Sequence, residues 1–423
     1  MQIETVIDKL RKTLHYANNN SAYYKKVFAS NSISISDLTS EEFRRIPFTH
    51  KKDLSLYNKE FLAVEDSDIF DITTTSGTTG EPVSFYLTRL DVDRLATNEA
   101  GSLKLTGATS QDRFQLMTTM NKQFMAGLAY YEGIKKLGAG IIRVGPGSIK
   151  SQWESILKYQ PTYLIAIPSF IPALIEEAKK LKIDYNSSSV KAIVCVGEPI
   201  RNSELQQNPL HTKITDEWDV KLYSTYASTE MSTAFTECSA QNGCHEQSEL
   251  IYTEVVDEEG NPVQEGESGE VVITTLGVEA MPLIRYKTGD ICHAFREICK
   301  CKRPSLRLGP VIGRKDHRIK YKGTTLYPRA IQNFLSQENV WPYVIAINAD
   351  DEGNDLIELI CSAKTDKSKL LDSFQNNFSV TPQIKEVAID KINRLIYGKN
   401  LRKPQLVIDT RSNEQAKNLV SSL

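Results

Sequence analysis

Apolar residues in the middle of the chain alternate between helical spacing and short continuous runs. Segments with apolar positions three and four residues apart indicate helices, whereas short apolar runs bounded by turn residues indicate buried strands. The pattern predicts helices at 91–105, 127–137, 150–159 and 171–182, and strands at 114–118, 141–144, 163–167 and 190–196. Short connections between such elements indicate parallel β-α-β units, with helices on both faces of a sheet. The predicted fold class is therefore α/β.

The two ends of the chain differ from this central region. Residues 1–30 show helical periodicity and predict a helical entry segment. After a strand at 221–223 the pattern changes to strand-like runs at 250–256 and 269–275, which predicts a β-rich subdomain. A compact α+β module is predicted beyond residue 317. We place the domain boundary at Gly313-Arg314, which divides the chain into domains 1–313 and 314–423.

The composition is that of an ordinary globular protein, with 423 residues, 40% hydrophobic and 25% charged. A net charge of -2 provides no electrostatic footprint for nucleic acid or an anionic membrane. The N-terminus lacks the apolar run of a signal peptide, and the apolar segment 163–175 is interrupted by Pro168 and Pro172. We therefore expect a cytoplasmic protein with neither nucleic acid nor membrane as a partner.

A polar loop after the predicted strand at 69–72 is the first candidate for chemistry. Residues 73–82 read Thr-Thr-Thr-Ser-Gly-Thr-Thr-Gly-Glu-Pro and contain no large apolar side chain. Gly77 and Gly80 permit positive φ, so that backbone N–H groups can line a concave surface suited to phosphate oxygens. Hydroxyl groups from Ser76, Thr78 and Thr79 add further donors. No Gly-Lys-Ser/Thr closes the loop, which disfavours P-loop hydrolase chemistry, and a solvated linker is the alternative.

Two more candidates lie where predicted strands end. Gly197-Glu198-Pro199 follows the strand at 190–196, and Tyr226-Ala227-Ser228-Thr229-Glu230 follows the strand at 221–223. Open α/β sheets bind ligands at the carboxyl ends of their strands. A plain turn is an equally good interpretation of Gly197-Glu198-Pro199.

Four stretches occur in a fixed order and, taken together, resemble a known superfamily. They are Thr74-Thr75-Ser76-Gly77-Thr78-Thr79-Gly80, Tyr226-Ala227-Ser228-Thr229-Glu230, Tyr286-Lys287-Thr288-Gly289-Asp290 and Gly313-Arg314-Lys315-Asp316. This order and spacing resemble the adenylate-forming superfamily of acyl-CoA synthetases, luciferases and peptide-synthetase adenylation domains. Within it the chain most resembles the phenylacetate-CoA ligase group, which includes the synthetases that adenylylate a deazaflavin coenzyme. The resemblance covers almost the whole chain.

The resemblance implies a large N-terminal adenylation domain, a small mobile C-terminal domain and a two-step reaction. A carboxylic acid and ATP would form an acyl-adenylate and pyrophosphate, and a thiol, most simply coenzyme A, would then take the acyl group. The implied nucleotide-binding residues are Thr75, Ser76, Gly77, Thr78, Thr79, Gly80, Gly197, Glu198, Pro199, Tyr226, Ala227, Ser228, Thr229, Asp290 and Arg314. Tyr226 would lie near adenine, Asp290 would bind the ribose, and Glu230 would hold Mg²⁺, which prefers oxygen ligands.

The remaining residues implied by the resemblance concern adenylation, domain movement and the acid. Lys399, in Gly398-Lys399, matches the lysine that assists adenylation, and a cation suits the charge that develops on the α-phosphate. Asp316 matches the hinge of the mobile domain. Phe124, Tyr130 and Tyr131 lie where relatives build the acyl pocket, which favours an aromatic acid; core packing of a helix explains the same residues. Ala227 stands where relatives have Gly, which leaves the identity of the acid open.

Cysteine and histidine spacing predicts a structural zinc site. Cys238 and His245 lie seven positions apart, and Cys299-Lys300-Cys301 forms a second pair. Two such pairs separated by a long segment are typical of tetrahedral zinc sites. The phenylacetate-ligase group has a similar pattern, which favours Cys238, His245, Cys299 and Cys301 as ligands. Cys244 is the rival fourth ligand, and reduced cysteines that only pack are the alternative to a metal.

Two other functions remain open at this point. An acyl-protein synthetase would load a carrier protein or a cysteine of its own, for which Cys361 is the candidate. A nucleotide-binding regulator without turnover would keep the fold, but Glu230, Asp290 and Lys399 argue against it. The sequence leaves the oligomeric state open, with a homodimer among the options.

Overall fold

The computed structural model describes residues 5–75, 82–321, 324–350, 354–362, 366–397, 405–411 and 414–421. They form two compact units. The first comprises the chain up to Thr288 together with Cys292–Val311, and the second comprises Gly289–Ile291 together with the chain from Ile312 onward. Within the described residues, no helix is long and apolar enough to cross a membrane.

Most helices of the first unit follow a polar N-cap residue and bury apolar side chains. They are α1 (Val6–Asn20), α2 (Ala22–Ser30), α3 (Ser40–Arg45), α4 (Lys51–Leu56), α5 (Arg89–Leu105), α6 (Met125–Leu137), α7 (Ile149–Tyr159), α8 (Ile171–Lys180) and α9 (Pro209–Thr215). At the start of α5, the Asp91 N–H donates to Thr88 Oγ1 and the Thr88 N–H donates to the Asp91 carboxylate. This reciprocal capping box satisfies N–H groups that have no partner within the helix.

Strands of the first unit are β1 (Asp71–Thr74), β2 (Ser84–Leu87), β3 (Arg113–Leu116), β4 (Gly140–Arg143), β5 (Tyr163–Ala166), β6 (Ala192–Cys195), β7 (Lys221–Ser228), β8 (Thr233–Glu237), β9 (Cys244–His245), β10 (Ile251–Val256), β11 (Ser268–Thr275), β12 (Tyr286–Phe295) and β13 (Arg307–Leu308). The main sheet has the order β10-β11-β12-β13-β9-β8-β7-β6-β5-β3-β4. Strands β3 to β7 are parallel to one another, β8 pairs antiparallel with β7, and β9 pairs antiparallel with β8. This arrangement confirms the predicted α/β class and its β-rich extension.

The two-stranded sheet of β1 and β2 lies outside the main sheet. The strands pair antiparallel, with Asp71 opposite Leu87 and Thr74 opposite Ser84. The polar loop predicted to bind phosphate therefore joins two strands of one hairpin. Its residues 76–81 lie outside the described part of the chain.

The N-terminal segment is fixed to strand β12 by backbone pairing and buried charge. The Thr49 N–H donates to the Arg285 carbonyl, and the Lys287 N–H donates to the Thr49 carbonyl. The Phe48 ring lies 4.2 Å from the Arg285 guanidinium and 4.3 Å from Lys287 Nζ. Arg285 in turn donates two hydrogen bonds of 3.0 Å to the Glu254 carboxylate, with both side chains buried.

The second unit is a small α+β module, as predicted. Its strands are β14 (Gly313–Arg314), β15 (Ile319–Tyr321), β16 (Thr324–Leu326), β17 (Tyr343–Ala349), β18 (Asp355–Cys361), β19 (Gln383–Glu386) and β20 (Val407–Asp409), and its helices are α10 (Pro328–Gln337), α11 (Lys367–Phe378), α12 (Ile389–Ile396) and α13 (Glu414–Ser421). The sheet has the order β19-β18-β17-β20. Arg411 joins three parts of this unit, because it bonds Asp355, Asp409 and the Arg318 carbonyl.

We expect the Arg285–Glu254 pair to be important for the stability of the first unit. Removing one partner of a buried ion pair typically costs about 3–5 kcal/mol, because the other charge is left unpaired. Glu254→Gln should therefore lower the urea midpoint, followed by the fluorescence of the buried Trp153 and Trp218. The control is Glu154→Gln, which breaks an exposed pair with Lys150 and should cost at most about 0.5 kcal/mol. Equal midpoints for the two variants would contradict the expectation.

Candidate functional site

The carboxyl ends of β6 and β7 form the edge at which two of the predicted motifs meet. The strands are adjacent and parallel, with Cys195 opposite Ser224. Gly197 and Tyr226 each follow these paired residues by two positions, so both lie at the same edge of the sheet. Thr225 strengthens this edge by donating from Oγ1 to the Cys195 carbonyl at 3.0 Å. This is where open α/β sheets bind ligands.

The turn after β6 is held in place on both sides. Gly197 has φ of +80°, in the left-handed region that favours glycine. The Glu198 carboxylate accepts hydrogen bonds from Ser169 N at 3.1 Å and Ser169 Oγ at 3.0 Å. The Pro199 carbonyl accepts from Asn208 Nδ2 at 2.9 Å. The turn therefore presents a defined backbone surface to a ligand.

The segment from Tyr226 to Glu230 ends strand β7 and begins the turn to β8. The half-buried Tyr226 ring lies 5.8 Å from the Phe235 ring across the strand pair, and Ala227 is exposed. Ser228 Oγ accepts from the Met231 N–H at 3.3 Å, and the Thr229 carbonyl accepts from the Ser232 N–H.

Glu230 is the acidic residue of this turn. Its side chain is half-buried, and no other described residue bonds or pairs with its carboxylate. The carboxylate is therefore available to a cation such as Mg²⁺.

Of the residues 75–80 that are predicted to bind the nucleotide, the structure describes Thr75 alone. Thr75 donates its N–H to the Val83 carbonyl and accepts the Val83 N–H on Oγ1, both at 3.0 Å. These two bonds close the base of the loop. Ser76, Gly77, Thr78, Thr79 and Gly80 lie outside the described residues, so their role stays a prediction.

In the second unit, Asp290 and Arg314 lie opposite each other in the pairing of β12 with β14. Arg314 Nε donates to Asp290 Oδ1 at 3.0 Å, while the Arg314 side chain remains 41% exposed. The guanidinium therefore orients the carboxylate and still reaches solvent. Asp316 lies in a short 3-10 turn, Lys315–His317. Lys399 lies outside the described residues.

The predicted acid-pocket residues lie on helix α6 or directly before it, and they differ in exposure. Phe124 precedes the helix, and both it and Tyr131 are half-buried. Tyr130 is only 3% exposed and packs in a hydrophobic cluster with Phe114 and Tyr163. Its hydroxyl donates to Thr225 Oγ1 at 3.4 Å, so only this polar tip reaches the carboxyl edge. Whether these residues contact the acid stays a prediction.

Sequence reasoning missed a buried carboxyl group beside Tyr130. Glu99 lies on the buried side of α5, 4% exposed, and its Oε2 has no hydrogen-bond partner among the described residues. A Cβ atom on Gly133 would collide with the Glu99 side chain, so α5 and α6 lie in close contact here. Burial raises the pKa of Glu99 to about 8. The available signal was an acidic residue at helical spacing from Leu95, Ala96 and Leu103, all of them buried.

The four predicted zinc ligands come together in space. The ligand atoms of Cys238, His245, Cys299 and Cys301 all lie within 4.8 Å of one another. The Cys238 and Cys299 sulfurs are 3.7 Å apart, and Cys301 Sγ is 3.5 Å from His245 Nε2. A tetrahedral site with Zn–S bonds near 2.3 Å and Zn–N bonds near 2.05 Å has separations of about 3.8 Å and about 3.6 Å between these atoms. The donor set therefore fits a zinc ion closely.

Strand β9 decides between the rival ligands Cys244 and His245. Successive side chains of a strand point to opposite faces. His245 faces the cysteine cluster, and its Nδ1 lies 2.8 Å from Ser305 Oγ, which leaves Nε2 for a metal. Cys244 packs into the main core of the unit, and its sulfur lies 3.6 Å from the Ser224 carbonyl. The geometry therefore favours His245.

Comparison with known proteins agrees with these features. Residues 6–280 match the family model described as AMP-binding enzyme. A phenylacetate-coenzyme A ligase of Thermus thermophilus is 29% identical over 335 residues, which is 78% of this chain and 74% of that protein. A phenylacetate-coenzyme A ligase of Aromatoleum evansii is 26% identical over 352 residues, covering 82% of this chain and 78% of that protein. The predicted resemblance is confirmed.

The fold also has relatives among solved structures. A crystal structure of 2-hydroxyisobutyryl-CoA ligase in the postadenylation state, in complex with 2-HIB-AMP, superposes with a TM-score of 0.82. It is 23% identical and covers 98% of this chain and 91% of that chain. At this identity the likeness establishes the fold.

The raised pKa of Glu99 predicts a pH dependence of stability. In the unfolded chain this carboxyl has a pKa near 4.3, so between about pH 4 and about pH 8 the folded state retains a proton that the unfolded state has lost. Stability should therefore fall as pH rises through this window. The side chain of Glu99→Gln cannot ionise. The free energy of unfolding of this variant, relative to that of the natural protein, should therefore increase between about pH 5 and about pH 8, by up to about 1.4 kcal/mol per pH unit. Thermal unfolding at several pH values measures this, with the exposed-site variant Glu154→Gln as control. A constant difference across the range would show that Glu99 is ionised in the folded state.

Proposed function

This chain belongs to the AMP-binding enzyme family, and from that membership we propose that it is an AMP-forming acid–thiol ligase. It activates a carboxylic acid with ATP and transfers the acyl group to coenzyme A. The observation that supports this most is the meeting of Gly197 and Tyr226 at one carboxyl edge. In the same segment lies the Glu230 carboxylate, which bonds no other residue that the structure describes. The similar ligases named above act on carboxylic acids with coenzyme A.

The first step joins the acid to the nucleotide. A carboxylate oxygen attacks the α-phosphorus of ATP, the bond to the bridging oxygen breaks, and pyrophosphate leaves with the electron pair. Lys399 supplies positive charge to the five-coordinate phosphorus, and preorganised charge of this kind is typically the largest contribution to rate. Glu230 would hold Mg²⁺, and the bound ion would supply positive charge to the phosphate oxygens. The Gly197–Pro199 turn and Tyr226 hold the base, and Asp290 accepts hydrogen bonds from the ribose.

The second step releases AMP. The thiolate of coenzyme A attacks the acyl carbonyl, and the bond to the AMP phosphate oxygen breaks. The thiol of coenzyme A loses its proton to solvent before the attack. The products are acyl-CoA and AMP, which leaves with the electron pair of the broken bond. We assign Asp316 as the hinge for a movement of domain 314–423 between the two steps.

The acid is proposed to be aromatic, in keeping with Phe124 just before α6 and Tyr131 on α6. Self-acylation at Cys361, the earlier alternative, is disfavoured, because this thiol is 1% exposed at the end of β18. A thiol buried to this extent is not exposed for acylation. Transfer to a carrier protein remains the alternative acceptor reaction.

We also propose that Cys238, His245, Cys299 and Cys301 bind a structural zinc ion. When bound, zinc with four protein ligands has no open position for water, so it joins chain segments and takes no part in the reaction. Three of the ligands are buried, and the fourth, Cys301, is half-buried.

Exchange of labelled pyrophosphate into ATP, measured across a panel of carboxylic acids, tests the first step. The natural protein should show exchange that depends on one class of acid, and Lys399→Ala should lower it by about 10²–10³. Transfer to coenzyme A from supplied acyl-adenylate should survive in this variant. The control is Lys391→Ala, which changes an exposed lysine of the same domain and should leave exchange unchanged. Equal loss in both half-reactions would refute the proposed role of Lys399, and no exchange with any acid would refute the function.

Elemental analysis of protein purified without added metal tests the zinc proposal. We expect about one zinc per chain, because structural sites of this kind bind tightly. Cys299→Ser should lose the metal and lower the melting temperature, whereas Cys244→Ser should retain the metal. Metal-free protein that is as stable as the natural form, or loss of zinc from Cys244→Ser alone, would contradict the ligand assignment.

A further inference from the structure

A buried ion pair joins the turn after β6 to the end of β8. Arg201 Nε donates to Glu237 Oε1 at 3.0 Å, and the two side chains are 6% and 1% exposed. Arg201 lies two residues after Pro199, in the segment proposed to contact adenine. Glu237 immediately precedes Cys238, a proposed zinc ligand. One interaction therefore connects two sites that the sequence gives no reason to associate.

The other oxygen of Glu237 holds strand β7. Glu237 Oε2 accepts the Ser224 N–H at 2.8 Å, two residues before Tyr226. The β7–β8 ladder pairs Thr225 with Thr236. The Ser224 N–H beyond that pair is thus satisfied by the side chain. A single carboxylate fixes both elements that are proposed to bind the nucleoside.

The proposed zinc site fixes the position of that carboxylate. Strand β8 pairs with β9, with Thr236 opposite His245 and Glu237 opposite Cys244. Cys238 continues β8 by one residue, so a metal bound to Cys238 and His245 closes the end of the same strand pair. Cys299 and Cys301 tie this end to a distant segment of the chain. Loss of the metal would remove this link from the end of β8, next to Glu237.

We propose that Glu237 is a positioning residue that couples occupancy of the zinc site to binding of the adenosine part of the nucleotide. This inference rests on the proposed function, which supplies the nucleotide, and on the proposed zinc site. Zinc orders the end of β8, Glu237 then holds Arg201 and the Ser224 N–H, and the base meets a preformed surface. Misplacing a binding element by about 1 Å can cost about 10²-fold in enzymes.

Coupling of this kind is reciprocal. If zinc strengthens AMP binding by a given factor, AMP must strengthen zinc binding by the same factor. The release of zinc to a coloured chelator therefore reports the coupling in the natural protein without any substitution. AMP is the probe, and cytidine monophosphate is the control for chelation of metal by a phosphate group.

Two variants test the pair from its two ends. Glu237→Gln and Arg201→Gln should each keep about one zinc per chain, weaken AMP binding by about tenfold or more and raise KM for ATP while kcat changes less. The double variant should bind AMP about as tightly as either single variant, because the two substitutions break the same interaction. Isothermal titration with AMP, elemental analysis and exchange kinetics provide the three measurements.

A matched control lies at the opposite end of the parallel strands. Asp112 is a buried carboxylate, 5% exposed, that pairs with Lys191 at 2.6 Å and accepts from Thr162 Oγ1 at 2.9 Å. It lies just before β3, at the amino ends of the strands, where ligands do not bind. Asp112→Asn should lower stability but leave AMP affinity and zinc release unchanged.

The outcomes separate this inference from the proposed function. Slower zinc release with AMP but not with cytidine monophosphate, lost in both variants, supports the coupling. Natural AMP affinity in folded Glu237→Gln and Arg201→Gln, or zinc release that AMP does not alter, overturns it. Should both variants fail to fold, the measurement of zinc release on the natural protein decides alone. If AMP slows zinc release but the protein shows no pyrophosphate exchange, this inference is supported and the proposed function is overturned. If the protein shows pyrophosphate exchange but AMP does not alter zinc release, the proposed function is supported and this inference is overturned.

Discussion

The structure of the first unit depends on strand β7, which pairs in parallel with β6 on one side and antiparallel with β8 on the other. Every buried N–H and carbonyl group needs a partner, so a strand between two neighbours is satisfied only if both are present. The parallel neighbour places the Gly197 turn beside Tyr226. The antiparallel neighbour brings in Glu237 and, through the following residue, the cysteine cluster. A change in the pairing of β7 would therefore alter the candidate nucleotide site and the candidate zinc site together.

Buried ion pairs join distant segments at two places in the first unit. Arg201 and Glu237 join the turn after β6 to β8, and Glu254 joins β10 to Arg285, the residue just before β12. Such pairs contribute little net stability compared with apolar residues of similar size, but they tolerate the loss of one partner poorly. We therefore infer that their main role is to specify which segments meet. Glu99 is different, because no described residue pairs with its carboxyl group. Burial raises its pKa, so the group keeps its proton and avoids an unpaired buried charge.

The arrangement also separates parts with different tasks. Parallel strands and their helices form the scaffold, while turns at the carboxyl edge present the polar groups that meet a ligand. The residues proposed to bind the acid lie on α6, whose Tyr130 hydroxyl reaches Thr225 at that edge. The cysteine cluster lies beside the scaffold and contains no group suited to acid or phosphate chemistry. Its proposed effect on the nucleotide thus passes through Glu237 and not through direct contact.

The sequence by itself determined the properties that depend on neighbours along the chain. Apolar spacing was sufficient for the central helices and strands to within a few residues, since helical and strand periodicities are local. The residue types and their spacing were likewise sufficient to recognise the order of the motifs and the Cys299-x-Cys301 pair. Only the tertiary structure decided matters that depend on residues far apart in sequence. Strand β7 runs to Ser228 and not to residue 223, because β8 extends its ladder. His245 faces the other cysteines and Cys244 faces the core, because β9 has a defined register with β8 and β13. Glu237 meets Arg201 and Ser224 for the same reason: hydrogen bonds between strands, which no local pattern encodes, set the register and hence the face on which each side chain lies.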